Sequence, residues 1–176
     1  MNALYTLSLW LHIVAAGVWI GSMVFLGAAV TPALRRPDPD YERVAPRLLE
    51  EIGLRYRAVG WGSLALLLLT GIFNLGLRGY GWADLWEGTL FAGPFGRALL
   101  WKLAWVALLV AITLWHDVRV GPRAAALLRS PPPDPEAHRR ERERLRRLAA
   151  GMGWAMLLLS LAIAYWGVLL ARGGFL

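Results

Sequence analysis

Two side chains that can carry a proton or ligate a metal lie inside long apolar stretches, His12 and Lys102. Ionisable groups within a membrane interior are costly and by default mark a functional site. Lys102 is the only lysine of the chain, in which every other basic residue is arginine. A desolvated amine can lose its proton, whereas a guanidinium group practically cannot. The use of lysine instead of arginine at this position therefore indicates that the chemistry of an amine is needed there. The alternative is snorkelling, since Lys102 lies only about four residues from the end of its stretch.

The stretches that carry these residues predict membrane spans. Of the 176 residues, 57% are hydrophobic and only 18% are charged. Crossing a hydrocarbon core of about 30 Å takes about 20 residues of helix. Four stretches are long enough, at about 4–34, 58–77, 97–116 and 146–171. Because backbone polar groups in lipid must be satisfied within the segment, we predict an all-α integral membrane four-helix bundle formed by a single domain, residues 1–176.

The arginines predict the orientation of this bundle. Most of the 19 basic residues lie at 35–57 and 117–147, which the positive-inside rule assigns to the cytoplasm. The topology is then up-down-up-down with both termini outside, as a multi-pass protein of the bacterial cytoplasmic (inner) membrane. Glutamates are interleaved with the arginines of 136–147, which favours a solvated helix face touching anionic lipid over nucleic-acid binding. The absence of cysteine excludes disulfides, thiolate zinc sites and iron–sulfur clusters.

Depth along the spans predicts a group of polar side chains in the outer half. Each span contributes at least one member, and the members are His12, Thr70, Asn74, Lys102 and Tyr165. Neutral imidazole is a common axial ligand of haem iron in helical bundles. We therefore expect a haem on His12, with Lys102 as second ligand or partner of a propionate, and with Trp19 and Tyr165 lining the pocket. The alternative is an intramembrane histidine hydrogen-bonded to Thr70 or Tyr165, with tryptophans that form interfacial belts.

A second group is expected at the arginine-rich end, and its members are Met23, Arg57, His116, Met152 and Met156. His116 lies 14 residues after Lys102, about 21 Å along a helix. His12 and His116 therefore cannot ligate the same metal. Thioethers are soft ligands that suit Cu(I), so Met23, Met152 and Met156, with His116, form an alternative copper site. Methionines are equally good fillers of an apolar core.

Three segments resemble known families. The segments LHIVAAGVWIGSMVF, RYRAVGWGSLALLLLTGIFNLG and WKLAWVALLVAITLWHDVRVGPR look like the membrane domain of copper-resistance protein D-type proteins. A histidine in the first span and a lysine opening the third also resemble the HemJ-type membrane protoporphyrinogen oxidases. The HemJ-type resemblance implies haem b on His12 and oxidation of a porphyrinogen, with Lys102 and, more weakly, Arg57 at matching positions. The copper-type resemblance implies uptake or handling of copper.

These observations leave three functions open. The first is a haem b protein of redox function similar to the HemJ-type oxidases, an oxidoreductase acting on a porphyrinogen. The second is a copper transporter or copper-binding protein. The third is a non-catalytic partner within a respiratory or assembly complex. The partners expected are membrane lipid and a porphyrin or quinone but no nucleic acid, and a homo-oligomer is compatible with all three functions.

Overall fold

The computed structural model describes residues 3–34, 39–129 and 134–172, and the ordered structure within these ranges is helical. The helices are α1 (Ala3–Phe25), α2 (Pro39–Leu77), α3 (Trp82–Trp86), α4 (Gly93–Trp115), α5 (Gly121–Arg129) and α6 (Pro135–Ala171). Within the described ranges four helical runs are long and apolar enough to cross a membrane, namely Ala3–Ala33, Arg47–Leu77, Gly93–Leu127 and Pro135–Ala171. The prediction of an all-α four-span bundle is confirmed. We call the end at which α1 begins and α6 ends the outer end and the other the inner end.

The helices extend beyond the predicted spans into the predicted loops. α2 begins at Pro39, so the described part of 35–57 is helix rather than loop. α6 runs unbroken from the charged segment after Asp134 into the fourth span, as expected, and the Asp134 carboxylate accepts the backbone N–H of Glu136 as a helix cap. Among the predicted arginines, Arg35 and Arg36 lie outside the described residues.

The first and third spans each contain one π-helical turn near the inner end, at Leu26–Val30 and His116–Val120. Each turn is followed two residues later by a proline, Pro32 and Pro122. Proline has no N–H to donate and crowds the carbonyl four residues before it, which favours a wider turn at this point. The wider turn changes the register of the helix, so the residues of the second turn, His116 and Asp117, project differently from those of a continuous α-helix.

The outer connection between the second and third spans is short and folded. Gly79, with φ of 90°, ends α2, and the N–H of Tyr80 donates to the carbonyl of Leu75. Asp84 accepts hydrogen bonds from the N–H of Gly81 and the hydroxyl of Thr89, which hold the pKa of this exposed carboxyl below its usual range. The connection closes the outer end of the bundle.

The outer connection approaches the third span closely at Gly96. A Cβ at this position would lie 2.2 Å from the backbone carbonyl carbon of Phe91. The packing here joins the connection to the spans in a cluster that we call the outer cap: buried Leu90, Ala98, Leu99 and Leu170, with Leu75, Tyr80, Phe91, Phe95 and Trp166 around them.

A second core cluster fills the inner half, around Trp19, Leu109 and Met156. Large apolar side chains such as Trp10, Leu69 and Trp86 lie on the outside of the bundle, where they are 58%, 66% and 85% exposed. This inside-out distribution fits a protein whose surroundings are as apolar as its core. The chain is a multi-pass membrane protein.

Contact between α1 and α2 depends on a glycine opposite Trp19. A Cβ on Gly60 would lie 3.0 Å from the Trp19 ring, whereas one on Gly62 would meet nothing within 4 Å. We expect Gly60→Ala to lower the melting temperature because the indole is displaced from its hydrogen bond and its core cluster. Gly62→Ala should leave it unchanged or raise it, since alanine is the better helix former by about 1 kcal/mol. Thermal unfolding of both variants in detergent measures the difference, and equal behaviour would contradict this contact.

Candidate functional site

His12 is held in one tautomer by Thr70. The Thr70 hydroxyl donates its only proton to the Leu66 carbonyl of its own helix, at 2.6 Å. The hydroxyl oxygen therefore acts as acceptor for the Nδ1–H of His12, at 2.7 Å. In this tautomer Nε2 carries the lone pair of the ring, and the Leu67 backbone carbonyl also lies within hydrogen-bonding reach of the imidazole. A histidine whose Nδ1–H is fixed by a neighbour can bind a metal or accept a proton through Nε2.

Lys102 approaches the same level of the bundle from the third span. Its charge acts on His12 through space. Its Nζ lies 3.6 Å from where a Cβ on Gly167 would stand, so the amine packs against α6 at this glycine. Among the described residues no side chain forms a hydrogen bond or an ion pair with Lys102. The amine is thus positioned beside His12 without contacting it.

Three other residues that were predicted near His12 divide between the interior and the surface of the bundle. Asn74 lies one helical turn outward from Thr70, and its buried Oδ1 has no partner within the described part of the chain. Tyr165 is 62% exposed on the outside of α6, where its ring meets Trp166 edge-on. Trp19 is buried, but it belongs to the inner cluster and donates from Nε1 to the Ser160 hydroxyl at 2.9 Å. Trp19 and Tyr165, the aromatic residues expected to line a porphyrin pocket, therefore do not lie on either side of His12.

The methionines of the inner group meet in one cluster. Met156 is a buried member of the core around Trp19, and Met23 and Met152 pack against that core. The Thr113 hydroxyl lies 3.4 Å from the Met156 sulfur. Met152 also borders an apolar groove of about 540 Å³ between α4 and α6, lined by Ala111, Ile112, Trp115, Arg147, Leu148, Gly151 and Ala155. Three thioethers from two spans thus share one region that is reachable from the surface.

A buried carboxylate organises the inner end, and sequence reasoning missed it. Asp117 is 7% exposed. Its Oδ2 accepts from Trp61 Nε1 at 2.8 Å and pairs with Arg57 Nε at 3.2 Å, and its Oδ1 pairs with His116 Nδ1 at 3.1 Å. We call these four residues the Asp117 cluster. Arg57 and His116 were predicted at this end, but the group that joins them is the aspartate directly after His116. An acidic residue closing an apolar span was the available signal.

The Asp117 cluster also changes the expectation for His116. Its Nδ1 is engaged by Asp117, one helical turn beyond Thr113, which contacts Met156. His116 therefore belongs to the cluster at the end of the bundle, and the methionines form a separate apolar group. Within the described residues no three His, Asp or Glu side chains are grouped in a way that could hold a metal ion.

These contacts define a four-span helical membrane protein with polar groups at separate levels of its interior. Residues 50–166 match the family described as Copper resistance protein D, and the chain belongs to this family. It is also 32% identical to an uncharacterized protein of Aquifex aeolicus (strain VF5) over 119 residues, which cover 67% of this chain and 71% of that protein. No solved structure matches the chain. The copper-type resemblance is confirmed, and the HemJ-type resemblance receives no support from these comparisons.

The Asp117 cluster generates a prediction about stability. Replacing Asp117 by alanine removes the acceptor of three side chains from two spans and leaves the Arg57 charge without its partner. We expect a loss of about 2–3 kcal/mol in the free energy of unfolding. Glu143→Gln is the matched control, because Glu143 pairs with Arg146 and Arg147 on an exposed helix face and should leave stability unchanged. Unfolding in mixed detergent measures both variants, and equal stability would mean that the cluster does not join the spans.

Proposed function

We propose that this protein handles copper in the bacterial cytoplasmic (inner) membrane and binds Cu(I) among Met23, Met152 and Met156. The observation that carries the proposal is the meeting of these three thioethers in one cluster of a Copper resistance protein D family member. Thioether sulfur is a soft ligand that selects Cu(I) over harder cations. Because the chain has no cysteine, methionine is its only soft ligand type.

The surroundings of the methionines suit a single positive charge that must enter and leave. The groove beside Met152 offers access from the surface between α4 and α6. The Thr113 hydroxyl oxygen lies 3.4 Å from the Met156 sulfur and adds a polar atom beside the thioethers. The cluster is therefore a soft, largely apolar site that borders a route to the surface.

The haem b interpretation is less well supported. The Nε2 lone pair of His12 would suit an axial bond to iron. The aromatic residues expected to sandwich a porphyrin do not line that position, since Trp19 packs in the inner cluster and Tyr165 is exposed. We derive no porphyrin chemistry from this arrangement. A non-catalytic role in a larger complex would leave the purified protein without bound metal.

Competition with a chromophoric Cu(I) chelator under anaerobic conditions tests the copper proposal. We expect saturable binding of Cu(I) to the wild-type protein. The double variant Met152→Leu and Met156→Leu should bind at least about tenfold more weakly, because leucine keeps the volume but removes the sulfurs. Met23→Leu should weaken binding as well.

The control is Ile163→Leu, which changes a side chain of the same core without touching a sulfur. It should bind Cu(I) as the wild type does. Equal binding by the double leucine variant would show that the methionines only fill the core. A Soret band in the purified protein that His12→Ala abolishes would instead favour the haem interpretation.

A further inference from the structure

Three buried polar atoms in the outer half have no hydrogen-bond partner among the described residues, Ser8 Oγ, Asn74 Oδ1 and Trp105 Nε1. They come from three different spans. Leaving a buried polar group unpaired costs about 1–3 kcal/mol, so each such group calls for an explanation. Several of them in one half of one bundle indicate a ligand.

Helical spacing places these atoms around the His12–Thr70 hydrogen bond. Ser8 is one turn outward from His12 on α1, and Asn74 is one turn outward from Thr70 on α2, about 6 Å in each case. Lys102 reaches the same level from α4, and Trp105 lies on the same face of α4 one turn further in. The unpaired atoms thus lie within about one helical turn of the level of the amine, those of Ser8 and Asn74 outward of it and that of Trp105 inward of it.

The positive charge at this level is uncompensated by the protein. The outer halves of all four spans contain no Asp or Glu, and the nearest acids along the chain, Asp84 and Glu87, belong to the outer connection. The Asp84 carboxylate is already engaged by Gly81 and Thr89. An ammonium group in a region of low dielectric needs a counter-charge.

We infer that the outer half of the bundle binds a monovalent anion, held by the ammonium of Lys102 and the indole N–H of Trp105. Two of the three unpaired atoms, Trp105 Nε1 and Ser8 Oγ, can donate to an anion, and the Lys102 ammonium at the same level carries three further N–H bonds. The third atom, Asn74 Oδ1, is an acceptor and is not part of the anion's coordination. An indole N–H cannot ligate a metal, and the ammonium repels a cation. Water could satisfy the hydrogen bonds but would leave the charge without its opposite. The outer cap covers this region from the outside.

Two sources offer the required chemistry, an inorganic halide and the carboxylate of a membrane-soluble acid. Both are monoanions that accept several hydrogen bonds, and they differ in whether an apolar tail accompanies the charge. Binding of either anion does not depend on copper, so the anion proposal and the copper proposal can be disproved independently of each other.

The melting temperature of the purified, copper-free protein in non-ionic detergent is the test. Sodium chloride and sodium hexanoate are titrated separately, against sodium sulfate at matched ionic strength. A ligand that binds only the folded state raises the melting temperature with its concentration. We expect a rise with chloride or hexanoate beyond that with sulfate, and the anion that produces it identifies the source.

Two variants and one control variant test whether the rise in melting temperature comes from anion binding at this site. Lys102→Met should reduce the apparent affinity at least about tenfold, while its melting temperature without anion equals or exceeds that of the wild type, because a buried uncompensated charge is gone. Trp105→Phe should reduce the affinity about threefold or more. Arg172→Gln, which removes an exposed charge at the same end, should respond to anions as the wild type does.

Three outcomes would overturn the inference. The first is the absence of a rise with either anion beyond that with sulfate. The second is an equal rise in the wild type and in both site variants. The third is a large loss of stability in Lys102→Met without anion, since this would mean that the protein itself satisfies the ammonium. Failure of Lys102→Met to fold counts as this third outcome, and unchanged affinity in Trp105→Phe independently contradicts the site.

Discussion

The interior of this bundle depends on one constraint: a polar side chain there needs a hydrogen-bond partner, either in the protein or in a bound ligand. Three of the buried hydroxyls find their partners in the same way. Thr70, Thr113 and Ser160 each donate a proton to the carbonyl four residues earlier in their own helix. A hydroxyl engaged in this way offers its oxygen as an acceptor to another span. Thr70 thereby holds His12, and Ser160 holds Trp19.

These bonds fix chemistry as well as packing. The proton of Thr70 is committed to Leu66, so the His12 ring donates from Nδ1 and carries its lone pair on Nε2. Likewise the Trp19 indole is hydrogen-bonded to Ser160 on the fourth span, which keeps it in the core beside Met156. A side-chain hydroxyl, used in the same way at two levels, thus determines both a tautomer and the position of an aromatic ring.

The charges divide the bundle along its axis. Lys102 lies in the outer half, where the spans contain no Asp or Glu, and Asp117 is buried at the inner end among Arg57, Trp61 and His116. The amine of the outer half thus has no carboxylate beside it, whereas the carboxylate of the inner end is paired with a guanidinium group. This difference is the reason why we propose an anion site in the outer half and give the inner carboxylate a structural role.

The sequence by itself determined the fold class and the spans, because long apolar stretches in lipid can only be helices. It also predicted His12, Thr70, Lys102 and the methionines as the chemically relevant residues, since polar and soft side chains are conspicuous in such stretches. Tertiary structure decided which of them meet. Tyr165 is exposed and Trp19 belongs to the methionine cluster, because the rotation of a helix about its axis depends on its neighbours. Asp117 was found only in three dimensions, since its burial follows from a proline-induced π turn and from partners 56 and 60 residues away.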